Sequence, residues 1–370
     1  MAQLFGRTVK PGHVEKHVGR VDQVAGARLY SFEDGPARGM RGIDVWTGSG
    51  LDFTVLPDRG LDIGGARMNG RALAWESATG HVAPERYDAE GFRWLRSFQG
   101  GLLATCGLRH FGAPDKDPSG ESWGLHGRAS NLSAQDLAIE RGWEDGEYRI
   151  RIRGRMTEAE VFKPTIVLER TITATLGSPT ISVADRVTNT GFEPSPVMLL
   201  YHCNLGWPLL SAKSRLVVNP ESVTPVTDHA ADGAEHFREM DPPTAGYREK
   251  VYQIVPKAGP DGLCRAALLN PDLDGGVGLL IQWPKATLGW MAEWKMLGEG
   301  VYVLGVEPCN CPFPPREQLR ERGLMPGLGP GESFEAGVTF RVGLGAAELK
   351  DLERAVAGRG RRGRIGKGSK

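Results

Sequence analysis

Hydrophobic residues in this chain recur at every second position in short runs, and a glycine or a proline closes nearly every run. In Glu147-Tyr-Arg-Ile-Arg-Ile-Arg-Gly154, arginines alternate with Tyr148, Ile150 and Ile152. Successive strand residues point to opposite faces, so this pattern predicts one wet and one dry face, as in an antiparallel, half-exposed strand. Thr165 to Thr175 and Thr180 to Thr188 read the same way, with Leu176-Gly-Ser-Pro179 as the turn between them. Phe334 to Val342 puts five apolar residues on one face, and Leu51 to Pro57 is a short strand followed by a turn at Asp58-Arg59-Gly60. The one convincing amphipathic helix is Ala346 to Ala357. A chain with 51 glycines, 25 prolines and so little helix is expected to be all-β, a large antiparallel β-sandwich or barrel with a short C-terminal helix. No composition break divides it. Residues 1–345 are therefore expected to form one domain, with 346–370 a short helix and a disordered basic tail. The irregular zone from Tyr87 to Gly127, rich in glycine and aromatic residues, reads as functional loops.

Charge narrows the classes of partner. Lysine plus arginine and aspartate plus glutamate both number 45, so no long-range field favours nucleic acid or an anionic membrane. Six cations, Arg359, Arg361, Arg362, Arg364, Lys367 and Lys370, crowd into the tail, which leaves the body with 39 basic against 45 acidic residues. Five cysteines at no framework spacing argue for a reducing compartment rather than a disulfide scaffold. No apolar run reaches about 18 residues, and no leader pattern opens the sequence, so a cytoplasmic location is expected. Cys309 and Cys311 lack the further ligands that structural zinc would need.

Three stretches carry chemistry. Val301-Tyr-Val-Leu-Gly-Val-Glu307-Pro308 is an apolar strand ending in a lone carboxylate, with Val301, Val303, Gly305 and Glu307 on one face. Pro308, Pro312, Pro314 and Pro315 are expected to stop the ladder there. A partly desolvated carboxylate on a rigid element suits a general base, although a strand cap or an arginine partner would also fit. Val197 to Tyr201 runs in the same way into His202-Cys-Asn204, where the histidine is either an acid or a satisfied core residue. His126 lies between Leu125 and Gly127, with Arg128 two residues on; alone it could be a plain loop residue.

Taken in order, Val55-Leu-Pro-Asp-Arg59-Gly-Leu-Asp62-Ile63, Gly100 to Gly107, Leu125-His126-Gly-Arg128, Tyr201-His202-Cys-Asn204-Leu-Gly206 and Trp294-Lys295 leading to Val306-Glu307-Pro308 resemble the aldose 1-epimerase, or galactose mutarotase-like, superfamily, and within it a little-characterised bacterial branch. The resemblance spans about residues 10 to 345. It implies the galactose mutarotase-like supersandwich with a sugar cleft on its concave face, acting on a free monosaccharide or modified sugar, as a monomer or homodimer, with no cofactor or metal. Glu307 would be the base at the anomeric hydroxyl, His202 the acid at the ring oxygen and His126 a second contact to that oxygen.

Around this set, Arg59 and Arg128 are candidate donors to the sugar, and Asp62 is a hydroxyl contact or, preferably, the partner of Arg59. Asn204 and Lys295 would tune the catalysts. Trp207, Trp283, Trp290 and Trp294 could stack on a sugar or fill core. The family's substrate-hydroxyl aspartate has no confident match; Asp272 and Asp274 are available by order only, and Arg109 is an unsafe stand-in for its substrate arginine. The alternatives are a carbohydrate-binding or sugar-sensing protein on the same fold, or a lyase or isomerase of a modified sugar.

Overall fold

A computed structural model describes residues 2–4, 7–116, 120–313 and 315–358. The tail cations and Pro314 lie outside these residues. Among those described, three antiparallel sheets dominate. The eight-stranded sheet runs in the order Gln135–Glu144, Glu147–Glu158, Ile166–Thr175, Thr180–Asn189, Ser333–Leu344, Val277–Pro284, Leu263–Asn270, Arg215–Val218. Its middle strands follow the alternation directly: Tyr148, Ile150 and Ile152 are buried, and the arginines between them face outwards, where Arg151 pairs with Glu144 and Arg153 with Glu140. The turn at Leu176–Pro179 falls where expected, with Gly177 at φ 73°, a conformation that favours glycine. The six-stranded sheet is ordered Pro220–Pro225, Lys250–Pro256, Trp290–Gly298, Val301–Cys309, Met198–Gly206, Ala104–Leu108, and a five-stranded sheet spans 26–72.

The main core lies between these sheets, where Ile150, Ile172, Val183, Ile281 and Phe340 meet Tyr201, Cys203, Tyr252, Leu304 and Val306. At its centre one guanidinium touches all three sheets. Arg170, from the eight-stranded sheet, donates to Asp185 Oδ2 at 2.6 Å, to Asp62 Oδ1 of the five-stranded sheet at 2.6 Å and to Thr105 Oγ1 of the six-stranded sheet at 2.8 Å. Thr105 closes the ring on Asp62, and the Tyr201 hydroxyl donates to Asp185 at 2.6 Å. Every side-chain atom of Arg170, Asp62 and Asp185 is out of solvent, so the charges persist there only because each is paired and hydrogen-bonded.

The C-terminal helix, Ala346–Val356, starts after Gly345 and ends before Gly358, which has φ 70° in the usual C′ position. Leu349, Leu352 and Val356 share one face and pack on Ala267, Leu269 and Leu280, so the helix is docked on the back of the eight-stranded sheet. Burial of three such side chains is worth roughly 1.5–3 kcal/mol each.

The strand from Val301 does not stop at Pro308; it continues to Cys309, which partners Leu200 on one side and Trp290 on the other. Pro308 instead leaves a local gap. Between the Leu200–Cys309 and Cys203–Val306 pairs no ladder pair forms, because proline has no N–H to give. The register carries straight across that gap and sets His202 opposite Glu307.

Candidate active site

The outward face of the six-stranded sheet carries the site. Alternation along Met198–Gly206 turns His202 and Asn204 to this face and Tyr201 and Cys203 to the core, and alternation along Val301–Cys309 turns Gly305, Glu307 and Cys309 the same way. His202 Nε2 stands 3.3 Å from Glu307 Oε1, with 5% and 4% of the two side chains exposed. Glu307 Oε1 and His202 Nδ1 have no other hydrogen-bond partner. Asn204 donates to the His202 carbonyl at 3.0 Å and to the Gly101 carbonyl at 3.1 Å, which ties the His202 strand to the loop before Ala104.

Burial works on both groups in the direction of neutrality. It drives the Glu307 carboxyl well above the usual glutamate range, and the nearby Glu249 carboxylate adds to that shift. It drives His202 down to about 3, opposed only by the Asn204 amide. His126 is also held well below its ordinary value, by burial first and then by His202 and His110. The His126 ring stands edge-on to His202, with centroids 5.4 Å apart, and its Nδ1 faces the Gly112 N–H at 3.4 Å. That N–H favours the tautomer with the proton on Nε2, a donor. His126 holds φ 59°, unusual for a histidine, and its main chain is fixed through Gly112 O and Gly107 N.

An aromatic wall surrounds the pair. Phe98 and Trp294 lie 5.2 and 5.4 Å from His202 between centroids, Trp94 stacks on Phe98 at 4.4 Å, and Trp75 meets Trp294 edge-on. The Trp294 indole donates to Glu249 at 2.8 Å and so pins that exposed carboxylate at the rim.

The structure thus brings together His202, Glu307, His126 and Asn204, and directs four other expected residues elsewhere. Arg59 is 1% exposed and spends its guanidinium on three carbonyls, those of Ser130, Val82 and Ser97. It staples three loops together from within the protein. Asp62 pairs with Arg170 rather than with Arg59. Lys295 is on the far face, because Trp294 takes the near one; its ammonium donates to the carbonyls of Phe237 and Glu239. Arg128 is exposed and lines a separate 320 Å³ cavity with Tyr87, Glu121 and Glu158.

Of the four tryptophans proposed for stacking, Trp290 and Trp294 pack on the site's face, Trp283 is buried with its N–H on the Leu288 carbonyl, and Trp207 is 73% exposed. Asp274 is taken by an ion pair with Arg71, and Arg109 pairs with Glu121. Sequence reasoning missed Glu249 and Trp75. It flagged the Tyr87–Gly127 zone that supplies Trp94, Phe98 and Gly112, without assigning them. Among the described residues no group of three or more histidine, cysteine, aspartate or glutamate side chains could hold a metal ion. Nor is any of their helices long and apolar enough to cross a membrane.

Comparison with known proteins agrees with this architecture. The model of a family described as a domain of unknown function, DUF4432, matches residues 37–342. A provisionally named aldose 1-epimerase from Klebsiella pneumoniae superposes with a TM-score of 0.85 at 26% identity, covering 92% of this chain and 91% of its own. A galactose mutarotase-like protein from Clostridium acetobutylicum gives 0.59 at 10% identity, covering 87% and 99%. A galactose 1-epimerase from Lactobacillus acidophilus gives 0.56 at 12%, again over 87% and 99%. The last two likenesses carry the fold alone. No curated protein matches the chain.

Proposed function

Because the chain belongs to the DUF4432 family and builds a buried acid–base pair into a galactose mutarotase-like sandwich, we propose that it is an aldose 1-epimerase-like isomerase that interconverts the anomers of a free monosaccharide. The observation that supports this most is the placement of His202 Nε2 and Glu307 Oε1 on adjacent strands, 3.3 Å apart, with no protein hydrogen bond to that oxygen. Opening a hemiacetal needs a proton removed at one oxygen and one delivered at its neighbour, so a facing acid and base are what the chemistry requires.

The protons balance within the pair. From the neutral pair, the Glu307 carboxyl first passes its proton to His202 Nε2, 3.3 Å away; Glu307 then takes the hydrogen of the anomeric hydroxyl as the bond between C1 and the ring oxygen breaks, and the protonated His202 gives its proton to that oxygen. The open aldehyde then faces a neutral carboxyl and a neutral imidazole, the state that burial favours for both groups. Rotation about C1–C2 and reclosure return each proton from the opposite face. The His126 Nε2–H steadies the ring oxygen, and the aromatic wall offers the sugar's C–H faces a surface and keeps water away. The two arginines expected as donors to the sugar, Arg59 and Arg128, are turned elsewhere, and so is Lys295, which favours a neutral sugar over a sugar acid.

The test is anomer exchange followed by NMR on a panel of aldoses, deoxy sugars and uronic acids. Acceleration of a neutral sugar, lost in Glu307→Gln while sugar binding is retained, is the expected result. Equal turnover by Glu307→Gln overturns the role of that residue. Line broadening without acceleration on every sugar favours a binding protein, and deuterium uptake at carbon favours a lyase or carbon-epimerase.

A further inference from the structure

Gly305 precedes Glu307 by two residues on the same face of the same strand, opposite Asn204 on one neighbour and Trp294 on the other. A Cβ built on it would collide with Glu307 Oε1 and stand 3.0 Å from Trp294 Cβ. The Glu307 carboxylate is thus folded back along its own strand over the bare Gly305 Cα, and the oxygen occupying that space is the one 3.3 Å from His202 Nε2. Nothing else holds this oxygen, since it accepts no hydrogen bond from the protein. We infer that Gly305 is a positioning residue for the base: its missing side chain is what allows Glu307 to face His202 rather than swing outwards. The backbone there does not need glycine, because Gly305 has no positive φ and lies in a regular antiparallel ladder. Glycine within a strand ordinarily weakens it, so its presence here is accounted for first by the Glu307 carboxylate, which comes nearer to the built Cβ than the Trp294 Cβ on the neighbouring strand does.

This rests on the proposed role of Glu307, and the experiment separates the two. Gly305→Ala should stay folded, with the melting temperature shifted by no more than about 5 °C, because the methyl restricts the unfolded chain while Glu307 and Trp294 must give way to it. Its kcat should fall at least 10-fold with KM within about 2-fold, because the reacting oxygen moves while the aromatic wall stays. Gly142→Ala, at a strand glycine with nothing within 4 Å of the built Cβ, should be indistinguishable from the parent. A double-mutant cycle supplies a readout that mere loosening would not move. Aspartate is one methylene shorter and keeps its carboxylate clear of the new methyl, so adding Gly305→Ala to Glu307→Asp should cost less than about 2-fold beyond Glu307→Asp alone.

Full activity in Gly305→Ala, unfolding of that variant, or multiplicative losses in the cycle would each overturn the positioning role. Wild-type activity in Glu307→Gln would instead overturn the base assignment beneath it. Where no sugar is turned over, the NMR titration of His202 decides: its pKa should move in Gly305→Ala and stay put in Gly142→Ala.

Discussion

Replacing His202 by phenylalanine should make this fold less sensitive to acid. The ring is buried, and burial pushes its pKa down to about 3 from an ordinary value of 6.5. The sign follows from proton binding. Below 6.5 the unfolded chain takes up a proton on this histidine that the folded chain refuses, so stability is lost as pH falls from 6.5 towards 3. Burial also raises the Glu307 pKa, which weakens that carboxyl as a countercharge for a protonated His202. Each pKa unit is worth about 1.4 kcal/mol, so about 2 kcal/mol is lost at about pH 5 through this one side chain. Urea unfolding of the parent and of His202→Phe, each at about pH 7.5 and pH 5, isolates that quantity as a difference of differences. His110, pushed to about 4, contributes equally to both proteins and cancels; His126 is held down first by burial and only then by His202, so most of its contribution cancels as well. The parent should lose about 2 kcal/mol more than the variant. Equal losses would show that His202 is protonated within the fold at pH 5, and the neutral resting pair would be wrong.

Other consequences can be measured independently. Glu249→Gln removes the charge that helps to raise Glu307, so the acid limb of the kcat/KM profile should move to lower pH; an unmoved limb would disconnect the two carboxylates. Arg59→Met should lower stability by at least about 3 kcal/mol in urea, by orphaning three carbonyls, and leave the KM of the surviving enzyme unchanged; the reverse pattern would restore Arg59 as a sugar contact. Arg170→Met should cost about 3–5 kcal/mol near neutrality and less in acid, where Asp62, whose carboxyl burial pushes up, can protonate; a loss independent of pH would mean that packing, and not charge, dominates there.

What the sequence disclosed follows its periodicities. Alternation ending in a carboxylate at Glu307 and in an imidazole at His202 was legible, because each strand's own pattern tells which face a residue takes. That same rule, applied one residue further, would have sent Lys295 to the far face from Trp294. Arg59 and Asp62 were not legible in this way. Arg59's acceptors lie 23 to 71 positions away, and Asp62's partner lies 108 positions on, separations that no local pattern encodes. Glu249 sits in an exposed, irregular stretch just before a strand, and only its bond to Trp294 gives it away. Gly305 looked like one strand residue among others, because a missing atom leaves no mark in a hydropathy pattern. Pro308 signals the end of a ladder by its missing N–H, but its strand has a second neighbour able to carry the pairing on to Cys309.

The guanidinium at the meeting of the three sheets bears on how the chain folds as well as on what holds it. Its partners Asp62, Thr105 and Asp185, and Tyr201 behind Asp185, come from widely separated parts of the chain and from every sheet. A folding intermediate that assembled the five-stranded sheet first would enclose Asp62 with no countercharge, and one that closed the eight-stranded sheet first would leave the Arg170–Asp185 pair without its remaining donors and acceptors. Partial structures of either kind are penalised until the last sheet arrives, so unfolding should be a single cooperative transition with no sheet surviving the others, and fragments cut between Asp62 and Tyr201 should not fold alone.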